Sequence, residues 1–246
     1  YQYRPVMKLI NADRPRLLAQ LEIVYADGER HTVVSNAAWE AAPGPILEAD
    51  LLMGESHDAR LKPSQWQPAI ELPAPAGRQV AHRGPPVRRI LEVRPVAAPR
   101  KAGQGWIFDL GQNLVGRVRL RVRGEAGQTV TIRHAEMLHP DGTLYTANLR
   151  RARATDHYTL AGGRTEVWEP RFTFHGFRYV ELTGYPGTPK RDAVTGIVLH
   201  SDLEPTGAFE CSDPLVNQLQ RNIQWGQRGN FLEVPTDCPQ RDERLG

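Results

Sequence analysis

The sequence predicts a mainly β protein, built of short antiparallel strands in β-sandwiches and followed by one helix near the C-terminus. Three observations carry this. Residues 117–123 alternate arginine with Val118, Leu120 and Val122, so one face is apolar and the other charged. Gly124-Glu125-Ala126-Gly127 then turns, and residues 129–133 return with the same alternation. No helical period interrupts such segments before Ser212.

The elements follow in order. Residues 17–34 form a hairpin, with loosely alternating arms joined by Ala26-Asp27-Gly28-Glu29. A loop-rich stretch containing Trp39, Gly44-Pro45-Ile46 and Gly54-Glu55 ends near Trp66. The proline-rich segment after it reads as a connection with one strand at 87–93. Strands follow at 117–123, 129–133, 156–160, 166–174, 177–184 and 193–200. Gly176, between two aromatic runs, suits a bulge or sheet corner. Ser212-Asp213-Pro214 supplies a capping side chain and a first-turn proline, and Leu215, Leu219 and Ile223 recur every four residues. That spacing predicts a helix of about 13–16 residues ending near Gly226 or Gly229.

Composition narrows the function classes. The 246 residues include 22 glycines and 20 prolines, which is turn-rich without being low in complexity. No apolar run reaches the ~18–20 residues of a membrane helix. A net charge of +3 is close to balanced, which argues against a nucleic-acid partner. Cys211 and Cys238 match no zinc spacing and fit a reducing compartment, the cytoplasm. The chain opens on Tyr1 without a charged-then-apolar leader, as expected if a leader has been removed or if it is a piece of something longer.

Few residues suggest chemistry. The arginine face of 117–123 could bind a polyanion, but no aromatics interleave with it; it reads as a solvated strand face paired with neighbouring carboxylates. The cluster Arg150-Arg151-Ala152-Arg153 reads the same way. Eight scattered histidines form no helical pair and no cysteine–histidine set, so no transition metal and no cofactor is expected. Nucleophile-elbow, P-loop and dinucleotide fingerprints are missing. The tail stands out, because residues 237–244 hold three carboxylates and two guanidiniums. Pro235 and Pro239 disfavour a helix there. Such a loop could keep a carboxylic acid protonated for a glycosidic leaving oxygen, or it could be a solvated charged loop.

The tail Asp237-Cys238-Pro239-Gln240-Arg241-Asp242-Glu243-Arg244-Leu245-Gly246 resembles the signature loop of bacterial α-L-rhamnosidases. Gly44-Pro45-Ile46 with residues 54–60 resembles that family's N-terminal sandwich domain, with His57 where a tyrosine is more usual. Residues 108–113, Gly116, His134-Ala135-Glu136 and 174–180 resemble its concanavalin-like sandwich. The resemblance is collinear over nearly the whole chain.

The resemblance implies two β-sandwich (jelly-roll and concanavalin-like) domains, then the truncated helical start of an (α/α)₆ catalytic barrel. The expected divisions are 1–70, a connection at 71–105, a second sandwich at 106–203, and the barrel start at 204–246. It implies an inverting glycosidase acting on rhamnose-containing glycosides or polysaccharides. Glu243 would be the general acid, and Asp237 and Arg241 would hold rhamnose hydroxyls. Inversion needs an acid and a base roughly 6.5–9.5 Å apart. The family's base lies later in the barrel, so this chain alone is expected to be inactive. The alternative is a carbohydrate-binding or scaffold sandwich without catalysis, in which Trp106 or Trp168 either stacks on sugars or fills the core.

Overall fold

A computed structural model describes residues 16–73 and 77–241. The chain divides into two compact units, residues 1–44 with 62–81, and residues 45–61 with 82–246. The first strands are β1 (Gln20–Val24), β2 (Arg30–Val34), β3 (Glu40–Ala41), β4 (Ile46–Asp50), β5 (Gly54–Asp58) and β6 (Gln67–Pro68). Then come β7 (Val87–Val93), β8 (Arg100–Ala102), β9 (Gly105–Arg123), β10 (Thr129–Ala135), β11 (Met137–Leu138) and β12 (Leu144–Tyr145). They are followed by β13 (Thr155–Thr159), β14 (Thr165–Trp168), β15 (His175–Thr183) and β16 (Val194–Ser201). Helix α1 (Pro214–Gly229), β17 (Phe231–Leu232) and β18 (Val234–Pro235) close the described chain.

In the first unit β1 and β2 form the expected hairpin, with Gln20 opposite Val34 and the turn closed by Tyr25 and Glu29. β3 pairs with β6, Glu40 opposite Pro68.

The second unit is one curled sheet in the order β4-β5-β13-β10-β15-β9-β16-β7, with β8 and β14 also on β9. The 19-residue β9 makes the curl. Its first half pairs with β15, and its second half pairs with β16 and β14. The inward residues of both halves share one core with Phe108, Leu120, Ile132, Phe177 and Leu182, each buried. Alternation of the strands selects these residues, since every second side chain of β9 and β10 points inward.

This sheet gathers segments that lie outside the sequence division at 106–203. β4 and β5 join it through the parallel pairing of β5 with β13, and β7 and β8 pair with β16 and β9. Pairing across some 100 residues leaves no local periodic signal. Gly54 makes the β5 junction possible: its φ is +110°, and a Cβ there would lie 2.0 Å from the Thr155 carbonyl oxygen. β14 stops at Trp168, shorter than the 166–174 expected, because Glu169-Pro170 ends the ladder. The bulge expected near Gly176 occurs one residue on, between Phe177 and Tyr179.

Helix α1 has the predicted start. The Asp213 side chain accepts a hydrogen bond from the Leu215 N–H at 2.8 Å, and Pro214 occupies the first turn. Leu215, Leu219 and Ile223 are exposed on the described surface, while Trp225 packs against the sheet core.

Candidate functional site

Helix α1 delivers the chain to the tail loop. After Asn230, β17 and β18 turn at Glu233, whose φ is +72° and whose N–H donates to Ser201 Oγ at 2.9 Å. Thr236 N–H donates to the Asn230 carbonyl at 2.8 Å, and its side chain is buried. Residues 236–241 then run without regular structure, as Pro239 and the preceding Pro235 dictate.

This loop lies against the sheet at a glycine. A Cβ at Gly176 of β15 would meet Gln240 Cβ at 2.9 Å and its backbone N at 3.2 Å. The absence of a side chain at Gly176 therefore lets the loop backbone reach the sheet.

Within the loop, sulfur links the two described residues named from the sequence. Cys238 Sγ donates to Asp237 Oδ1 at 2.6 Å, and Arg241 Nη2 donates to Cys238 Sγ at 3.3 Å. The Cys238 thiol and backbone N–H hold the Asp237 carboxyl below its ordinary range, helped by the charges of Arg241 and Arg150. Asp237 is thus an ionised acceptor at neutral pH, suited to holding hydroxyls and unsuited to giving up a proton. Glu243 lies outside the described residues. Sequence reasoning overlooked Arg150 as a neighbour of the loop, although its basic cluster was visible; the cluster gives no hint of which segment it faces.

The other candidates resolve structurally. The arginine face is an ion-pair ladder: Arg117 and Arg119 meet Glu169 at 2.7 and 3.3 Å, and Arg121 meets Asp192 at 2.7 Å. Trp168 is buried and stacked on Tyr158 at 5.0 Å, and Trp106 is half-buried beneath the Lys101 ammonium. His57 fills an aromatic slot, 5.6 Å from Tyr158 and 5.9 Å from Trp168. Both cysteines are free.

Among the described residues one group has metal-ligating composition, His134, Asp156 and His175, all buried. His175 Nε2 meets Asp156 Oδ1 at 3.1 Å, while His134 Nδ1 pairs with the Ala154 carbonyl at 2.9 Å. The two imidazoles are stacked with centroids 4.1 Å apart and planes 28° apart. The atoms of the three side chains that could ligate lie within 4.8 Å of one another, and His134 Nε2 stands 3.8 Å from Asp156 Oδ2. The group is a buried polar network. Burial, reinforced by the His175 charge, holds His134 neutral with a pKa lowered to about 3.

Comparison with known proteins accounts for the loop and the sheet together. Residues 2–90 match the α-L-rhamnosidase N-terminal domain, residues 100–200 the bacterial α-L-rhamnosidase concanavalin-like domain, and residues 204–246 the bacterial α-L-rhamnosidase six-hairpin glycosidase domain. The chain belongs to the bacterial α-L-rhamnosidase family. An α-L-rhamnosidase of Streptomyces avermitilis is 53% identical over 95% of this chain, and one of Formosa agariphila is 40% identical over 96%. The structure of the Streptomyces avermitilis enzyme complexed with L-rhamnose superposes with a TM-score of 0.88 at 52% identity, covering 93% of this chain and 23% of that one. The structure of the rhamnosidase from Dictyoglumus thermophilum gives a TM-score of 0.92 at 39% identity, covering 97% of this chain and 28% of that one. The chain spans about a quarter of the rhamnosidase relatives it matches, 24% and 27% of the two named above.

Proposed function

We propose that this chain works as part of a longer α-L-rhamnosidase that hydrolyses terminal α-L-rhamnosyl residues with inversion. Glu243 protonates the leaving oxygen, and the general base is in the part of the enzyme this chain does not span. Asp237 accepts hydrogen bonds from rhamnose hydroxyls, and Arg241 donates charge-assisted ones. The observation that supports this most is the tail loop itself, seated on Gly176 with Asp237 held ionised and joined to Arg241 through Cys238. In this reading the curled sheet is the platform that fixes the loop.

Release of p-nitrophenol from p-nitrophenyl α-L-rhamnoside tests it, comparing this chain with the longer protein. Activity only in the longer protein is expected. Activity in this chain alone would place a base within these 246 residues and overturn the mechanism. No activity in either would overturn the rhamnosidase reading.

A further inference from the structure

Cys238 touches both described residues that the rhamnosidase reading gives to the sugar, through its backbone and through its sulfur. Its N–H and its thiol both bond the Asp237 carboxyl, the thiol to Oδ1 at 2.6 Å. Its carbonyl accepts the Arg241 N–H at 3.3 Å, and its sulfur accepts from Arg241 Nη2, also at 3.3 Å. Pro239 follows and biases the Cys238 backbone toward extended conformations, so the backbone bonds are set by the chain itself. They ask nothing of the side chain at 238. Only the two sulfur bonds are particular to cysteine.

The sulfur stands between a carboxylate and a guanidinium. Brought together directly, these groups close into a forked ion pair whose parallel N–H···O bonds occupy atoms that sugar hydroxyls would otherwise meet. A thiol is neutral, a weak donor and a weak acceptor. It bonds to both groups and leaves each its full charge.

We infer that Cys238 is a positioning residue, whose thiol, set between Asp237 and Arg241, keeps them from pairing with each other and holds them toward the rhamnose hydroxyls. The inference rests on the rhamnosidase reading and adds a residue to its binding apparatus. The role is one of geometry: the S–H is already directed at Asp237 Oδ1, and the sulfur acts on the sugar only through its two neighbours.

The test compares Cys238→Ala and Cys238→Ser in the longer protein. Alanine removes both sulfur bonds and leaves the backbone ones, whereas the serine hydroxyl can still donate to one neighbour and accept from the other. Turnover of p-nitrophenyl α-L-rhamnoside gives KM and kcat, and competition by L-rhamnose gives the affinity for the sugar itself. In Cys238→Ala, KM and the rhamnose inhibition constant should rise about tenfold while kcat falls less than about threefold. Cys238→Ser should recover most of that loss. The side chain is only partly buried, so the fold tolerates both changes. If the thermal midpoint of Cys238→Ala nevertheless drops by more than a few degrees, Cys238→Val takes its place, keeping the volume without a donor. Unchanged rhamnose affinity in the alanine variant, or a serine variant no better than alanine, overturns the inference while the active parent upholds the rhamnosidase reading. A parent without turnover overturns that reading, and the inference with it.

Discussion

Gly176 and Gln240 are in contact closely enough that one added carbon on Gly176 would lie 2.9 Å from Gln240 Cβ. A strand residue of the sheet and a loop residue of the glycosidase segment are therefore fitted to each other. Gly176→Val should displace the loop while leaving the sheet paired. In the longer protein, rhamnoside turnover should fall at least about tenfold with the thermal midpoint within a few degrees of the parent. A collapse of both together would mean that Gly176 serves the sheet alone.

Asp237 is held as a carboxylate by the Cys238 thiol and N–H and by two guanidiniums. Asp237→Asn keeps the shape and removes the charge, so KM should rise by about one to two orders of magnitude, more than kcat falls. Because its folded pKa lies below the ordinary 3.8, binding should not weaken through this group until the pH drops below that value. Weakening that sets in near neutral pH would contradict the assignment.

Glu243→Gln should suppress turnover of glycosides with poor leaving groups by about 10²–10⁴, with binding retained. An activated aryl rhamnoside should lose less, since its leaving group needs little protonation. Equal losses on both substrates, together with lost binding, would make Glu243 a binding or structural residue.

His134 stays neutral in the folded core down to about pH 3, whereas the unfolded chain takes up a proton near 6.5. A histidine lowered on folding contributes fully above its unfolded pKa, and that contribution is lost as the pH falls toward the folded one. Asp156, also lowered because the His175 charge and its hydrogen bonds outweigh burial, adds a loss that begins only below about 3.8. Stability should therefore decline from about pH 6.5 downward, approaching about 1.4 kcal/mol per pH unit for this one group. His134→Gln can keep the bond to the Ala154 carbonyl and cannot titrate. Denaturant midpoints between pH 6.5 and 4 should flatten in that variant, and an unchanged slope would assign the acid sensitivity elsewhere.

What the sequence revealed and what it hid divides by distance along the chain. The β1–β2 hairpin and helix α1 were legible because turn residues, a cap and a four-residue stripe are local signals. Asp237 and Arg241 were legible as a motif, and the structure adds the sulfur that joins them. The partners of β5 and β7 were not legible, because pairing with β13 and β16 depends on segments about 100 residues away. The same holds for His134, Asp156 and His175. They lie in three different strands, β10, β13 and β15, and only the sheet order brings them together. Arg150 likewise comes within electrostatic reach of Asp237 through the fold, not through spacing.

The parallel register of β5 with β13 also sets a timetable for synthesis. Glu55 N–H is bonded to the Asp156 carboxylate across 101 residues, so the β4–β5 hairpin leaves the ribosome long before its partner exists. At ~5–20 residues per second that interval is about 5–20 s. Throughout it, β5 presents an unmatched edge and the Glu55 carboxylate that the finished domain encloses. β13 supplies the missing edge, and the 3.1 Å contact of Asp156 with His175 forms only once β15 has followed. A nascent chain stalled before β13 should therefore be a client of holding chaperones, and one released after β16 should not.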